Sequence, residues 1–142
     1  MGSDGAERLA RIDALGGLSL GQRRVLAELA DELRAGAGET LMAQGELGHE
    51  FVMLEEGEAD VVMDGERVNQ VGPGDVIGEL AVLADGTPRT ASVIARGDVR
   101  AIVLTARFMR EMHERMPAAG AAIDRVATER RERDAQAGLQ GP

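Results

Sequence analysis

Apolar residues recur every three or four positions through the first third of the chain, then crowd into short runs separated by glycine. Leu9, Ile12 and Leu15 lie three apart before Gly16-Gly17 interrupts them, which predicts a first helix. Ser19 with Gln22 three residues later has the form of a capping box, each side chain closing on the other's backbone N–H. Leu26, Leu29, Ala30 and Leu33 continue from it as one stripe up to the Gly36–Gly38 cluster, predicting a second helix.

From Glu39 the rhythm shortens to that of strands. Thr40–Ala43, Phe51–Leu54, Ala59–Met63, Arg67–Val71, Ala91–Ala95 and Arg100–Leu104 read as strands. Asp64-Gly65, between Val61-Val62-Met63 and Glu66-Arg67-Val68, marks a two-residue hairpin whose turn needs positive φ. Gly45, Gly57, Gly72 and Gly74 mark further turns, and so many short strands predict a small antiparallel barrel or roll. After Leu104 the helical period returns. Thr105 caps a helix carrying Phe108, Met109 and Met112, and Pro117 closes it. A last helix runs from about Ala118 to Ala135, its apolar stripe formed by Ala119, Ala122, Ile123, Val126 and Ala127. The plan is one α+β domain: N-terminal helices over residues 1–38, a β-roll over 39–104, C-terminal helices over 105–137 and a tail over 138–142.

Composition narrows the function. The 142 residues include no Trp or Tyr, and Phe51 and Phe108 are the only aromatics, too few for a base-stacking platform. Cysteine is absent, which removes disulfides, thiolate metal sites and cysteine nucleophiles and agrees with a reducing compartment. No signal peptide is visible and no apolar stretch approaches the roughly 20 residues of a membrane span, so a cytoplasmic protein is expected. The formal charge of −9 argues against nucleic acid and anionic membranes as partners. His49 and His113 are the only histidines and lie in different contexts, so a cupin-like metal site or a nucleophile–base pair has little to build on.

The segment from Gly78 to Ser92 carries the chemistry. Gly78 allows a tight backbone passage, and Glu79-Leu80-Ala81-Val82-Leu83 can form a helical turn whose first N–H groups make an anion seat. Ten residues after Glu79 stands Arg89, preset by Pro88, with a planar fork suited to phosphate oxygens. One loop thus holds a carboxylate able to accept from sugar hydroxyls and a guanidinium able to pair with phosphate.

Gly78-Glu79-Leu80-Ala81 followed by Pro88-Arg89-Thr90-Ala91-Ser92 resembles the phosphate-binding cassette of the cyclic nucleotide-binding domain family. Gln44-Gly45-Glu46, the Phe51–Val62 strands around Gly57, and Pro73-Gly74-Asp75 fall where that family places its roll glycines, so the resemblance covers roughly Leu20 to Ala135. It implies an antiparallel β-roll of jelly-roll type, with a short helix in the cassette (residues 78–92), and a sensor rather than an enzyme. Glu79 would accept from the ribose 2′-hydroxyl, Arg89 would pair with the cyclic phosphate, and N–H groups near Leu80, Ala81 and Ala91 would complete the seat, with Gly78 allowing close approach. Thr90 leaves cyclic GMP open beside cyclic AMP, since a Ser or Thr there can bond the phosphate and a syn guanine. No cofactor or metal is implied. The family's aromatic hinge would correspond to Phe108, with the terminal helix closing over the purine. A protein partner, or a homodimer through the C-terminal helices, would receive the signal. The rivals are an interaction module of the same fold that has lost its ligand, and a metal enzyme on a cupin-like barrel. A DNA-reading helix-turn-helix after the last helix is not expected within these residues.

Overall fold

The computed structural model describes residues 5–12, 15, 18–47, 50–78, 88–121, 124–125 and 128. The three-residue spacing at the start of the chain resolves into something tighter than one helix. Helix α1 spans Gly5–Ala10 only. Beyond it Ile12 N–H donates to Leu9 O, Leu15 N–H to Ile12 O and Leu18 N–H to Leu15 O, at 2.9 to 3.2 Å. These are i→i−3 bonds, and a period of three belongs to 3₁₀ turns rather than to the 3.6 of an α-helix. All four apolar side chains are buried.

Helix α2 (Leu20–Leu29) begins as the capping box requires. Gln22 N–H donates to Ser19 Oγ at 3.1 Å, and Ser19 N–H donates to Gln22 Oε1 at 2.9 Å. The helix ends four residues before the predicted stripe does. Ala30 is its C-cap, and Leu33 lies on strand β1 (Asp31–Ala35), so the roll begins within the region read as N-terminal helices. Pairing decides this: β1 runs antiparallel to β8 (Val99–Thr105) from Asp31↔Val103 to Ala35↔Val99, and that ladder overrides the helical spacing. Leu29 stays largely exposed.

The other strands are β2 (Thr40–Met42), β3 (Glu50–Glu56), β4 (Ala59–Met63), β5 (Glu66–Val71), β6 (Val76–Ile77) and β7 (Ser92–Ala95). They form two four-stranded antiparallel sheets, β1-β8-β3-β6 and β2-β7-β4-β5. β6, like β1, is absent from the sequence prediction; two residues are too few to show a period. Between β4 and β5, Asp64 and Gly65 adopt φ of 52° and 84°, the turn their identities predict.

Alternation along the strands divides the core in two. Val52, Leu54, Ile77, Val99 and Ala101 point between the sheets, where they meet Met42, Ala59, Val61, Val71, Ala91, Val93 and Ala95. Met53, Val76, Ile102 and Leu104 point the other way, onto the helices, where Leu9, Leu26, Met109, Met112, Met116 and Ala119 cover them. The sheet containing β8 is therefore buried on both faces, which is why residues 101–104 read as an unbroken apolar run. Helix α3 (Ala106–Arg115) follows β8, and residues 117–121 are helical again, as are Asp124, Arg125 and Thr128. The predicted helix beyond residue 128 and the 138–142 tail lie outside the described residues.

Arg8 ties the N-terminal helices to this sheet. Its guanidinium, 4% exposed, donates from Nε and Nη2 to both carboxylate oxygens of Glu55 on β3, at 2.8 and 2.5 Å, and from Nη1 to Glu32 on β1 at 3.2 Å. The Arg8 bond, aided by one from Arg34, holds the Glu32 carboxyl below the usual carboxylate range.

Candidate functional site

The turn between β2 and β3 clamps the backbone of Arg89. Gly45 N–H donates to Arg89 O at 2.9 Å, Arg89 N–H donates to Glu46 O at 2.8 Å, and Leu47 pairs with Pro88 as an isolated antiparallel bridge. With its backbone held, the side chain is directed into the roll and is 7% exposed. Nη2 donates to the carbonyl of Glu50, at the start of β3, and Nη1 reaches toward the carbonyl of Gly78 at 3.5 Å.

Gly78 makes that reach possible. Its φ is +85°, a left-handed conformation that glycine adopts without steric cost, and no Cβ stands between its backbone and the guanidinium. Burial pushes the Arg89 guanidinium below its usual value; the carboxylates of Glu50 and Glu46 offset part of that cost. A desolvated cation whose described hydrogen-bond partners are backbone carbonyls gains from an anion placed beside it.

A cleft of about 230 Å³ opens in front of this group, lined by Leu41, Met42, Glu46, Leu47, Glu50, Val52 and Arg89. It has an apolar wall, one buried cation and two carboxylates. That composition accepts a small amphipathic anion and offers acceptors for a ligand's hydroxyl or amino groups. Two larger clefts lack this chemistry. One of about 420 Å³ lies beside Arg34 and Arg100, but both arginines already face Glu32, at 3.1 and 3.5 Å. One of about 330 Å³, between α2 and α3, is lined by Val25, Leu29, Met112 and Met116 together with Gln22, Glu111 and Arg115.

The structure brings together two of the predicted site residues, Gly78 and Arg89. Ala91 is fully buried between the sheets, and Thr90 is exposed and not among the residues lining the cleft. Glu79, Leu80 and Ala81, with the helical turn predicted for residues 79–83, lie outside the described residues, as do His49 and the side chain of Phe108. Sequence reasoning did not single out Leu41, Met42, Leu47, Val52, Glu46 and Glu50 as lining. Glu46 belongs to the Gln44-Gly45-Glu46 turn, whose glycine signals a sharp reversal but not what the reversal grips.

A family model described as the cyclic nucleotide-binding domain matches residues 32–116. Among curated proteins, the chain is 38% identical over 94 residues to a cAMP-dependent protein kinase regulatory subunit of Aspergillus niger, the match covering 65% of this chain and 23% of that protein. The chain thus corresponds to about a quarter of that relative's length. Among solved structures, the regulatory domain of Toxoplasma gondii PKA with cAMP superposes with a TM-score of 0.71 at 27% identity, over 92% of this chain and 49% of the other. The regulatory subunit of a cAMP-independent protein kinase A from Trypanosoma brucei superposes with a TM-score of 0.70, also at 27% identity, over 84% of this chain and 44% of the other.

Proposed function

Because the chain belongs to the cyclic nucleotide-binding domain family, a regulatory and non-catalytic one, we propose that the Arg89 cleft binds a cyclic nucleotide, cyclic AMP before cyclic GMP. The observation that carries this reading is the position of Arg89: a buried guanidinium, packed against the backbone of Gly78, that lines a cleft with one apolar wall. In it Arg89 pairs with the cyclic phosphate, and N–H groups at Leu80, Ala81 and Ala91 complete the seat. Glu79 accepts from the ribose 2′-hydroxyl, and Thr90 influences the choice of base. Charge-assisted bonds of about 1.5–3 kcal/mol each are enough to outweigh the diffuse repulsion of an acidic chain.

The output in this reading is conformational. Ligand orders the 78–92 segment, and the helices over residues 105–137 shift in response, presenting a changed surface to a protein partner or a second copy in the cytoplasm. Calorimetric titration with cyclic AMP and cyclic GMP tests it, repeated on Arg89→Leu and Thr90→Ala. Saturable binding that Arg89→Leu abolishes supports the reading. Absence of heat or thermal stabilisation at millimolar concentrations of either nucleotide overturns it.

The second reading, an interaction module of the same fold that works without the nucleotide, is favoured by one comparison. A similar domain belongs to a kinase regulatory subunit described as cAMP-independent. The same titration separates the two.

A further inference from the structure

His113, on the last turn of α3, has both ring nitrogens against acceptors. Nδ1 lies 2.9 Å from the carbonyl oxygen of Met109, one turn back, and Nε2 lies 2.8 Å from Oδ2 of Asp124, across the helix break at Met116. A neutral imidazole carries one N–H, so either tautomer satisfies one of these contacts and turns a lone pair toward the other. Only the imidazolium donates to both. The other carboxylate oxygen of Asp124 is buried without a hydrogen-bond partner among the described residues, which leaves His113 as the carboxylate's described partner.

The packing of the ring is built as well. Gly120 lies against its edge, and a Cβ there would come within 2.8 Å of Cδ2 and 3.0 Å of Cγ and Nε2. Glycine costs roughly 1 kcal/mol relative to alanine inside a helix, and here it clears the space that the ring occupies.

We propose that protonated His113 is a clip holding the helical segment after Met116 against α3, and that raising the pH releases it. Among the described residues, the charged groups on the two segments the clip joins are Asp124, which meets the ring, and Arg125 beyond the break, and Arg107, Arg110, Glu111, Glu114 and Arg115 on α3. β8, which α3 follows, carries Arg100 near its opposite end. α2 carries Arg23, Arg24 and Glu28, and it faces α3 across a groove lined by Glu111, Met112, Arg115 and Met116. The sign follows from the contacts. Two acceptors face the ring, so the protonated form satisfies both and the neutral form only one; the second contact is lost as the ring gives up its proton with rising pH. The clip acts on the geometry of the C-terminal helices whatever the Arg89 cleft binds.

Histidine ring resonances of the full chain, followed by two-dimensional NMR from pH 5 to 9, test this, with His113 assigned from the signal lost in His113→Gln. The expected midpoint in the wild type lies above that in Asp124→Asn. Hydrogen-exchange protection at residues 118–121 is expected to drop several-fold between pH 6 and pH 8.5 in the wild type and to be independent of pH in Asp124→Asn. Gly120→Ala is the second variant: helix propensity alone would raise protection there, whereas displacing the ring lowers it at pH 6 and removes its pH dependence. A wild-type midpoint at or below that of Asp124→Asn overturns the proposal. So does a pH-dependent drop in protection that Asp124→Asn leaves unchanged.

Discussion

The backbone of Gly78 faces the guanidinium of Arg89 so closely that a Cβ on residue 78 would overlap Nη1, and the same atom would lie 2.8 Å from Cε of Met42. The two residues are eleven positions apart and depend on each other: glycine leaves the space into which the arginine is folded. Gly78→Ala therefore combines a left-handed φ, costing about 1–2 kcal/mol for a residue with a Cβ, with displacement of the buried cation. The expected outcome is a stability loss of about 1–3 kcal/mol by urea denaturation and a fall in nucleotide affinity of at least about tenfold by calorimetry. An affinity equal to that of the wild type would show that Arg89 does not need this passage.

Arg89→Lys separates charge from shape. Lysine keeps the positive charge but loses the planar fork, and an ammonium pays more to be desolvated at a site this buried. Nucleotide affinity is expected to fall by about 10- to 100-fold, the equivalent of one charge-assisted bond. Full affinity in Arg89→Lys would mean that a point charge suffices and that the fork contributes nothing.

Ser19 and Gln22 offer a test of the element most readily read from sequence. Both halves of the reciprocal cap form, and the pair starts the helix whose Leu26 and Ala27 cover the sheet. Ser19→Ala is expected to cost about 1 kcal/mol. Gln22→Ala should cost less, and the double substitution less than the sum of the two, as a coupled pair requires. Strict additivity in a double-mutant cycle by urea denaturation would contradict the reciprocal cap.

What could be read from the sequence follows from what a local pattern encodes. The cap at Ser19, the Asp64-Gly65 turn and most strands are local, and each stands close to where its residues place it. Two of the errors share one cause. Leu33 fits a helical stripe but pairs on β1, and Val76-Ile77 carries no period of its own; in both cases a distant strand decides. At the site, Arg89 and Gly78 could be named from local chemistry, whereas the apolar wall of Leu41, Met42 and Val52 comes from folding β2 and β3 over the cleft. The Arg8–Glu55 pair spans 47 residues and left no trace in any spacing.

That pair carries the last prediction. Arg8 and Glu55 are each about 5% exposed at the side chain, so removing one leaves the other as a buried, uncompensated charge. Arg8→Met is expected to destabilise the fold by about 3–5 kcal/mol, and adding Glu55→Leu should recover much of the loss, because an apolar replacement of both partners removes the desolvation penalty. The pH dependence has a definite sign. The Glu32 carboxyl titrates below its ordinary value in the folded chain because Arg8, then Arg34, donates to it. Its contribution is therefore complete above the ordinary carboxylate value of about 4.3 and is lost as pH falls through the lower folded midpoint. Thermal denaturation between pH 2.5 and 6 should show a wild-type stability that falls on acidification, with a shallower fall in the Arg8→Met/Glu55→Leu double variant. An unchanged slope would mean that the acid sensitivity arises elsewhere and that the Arg8 network holds the N-terminal helices by packing alone.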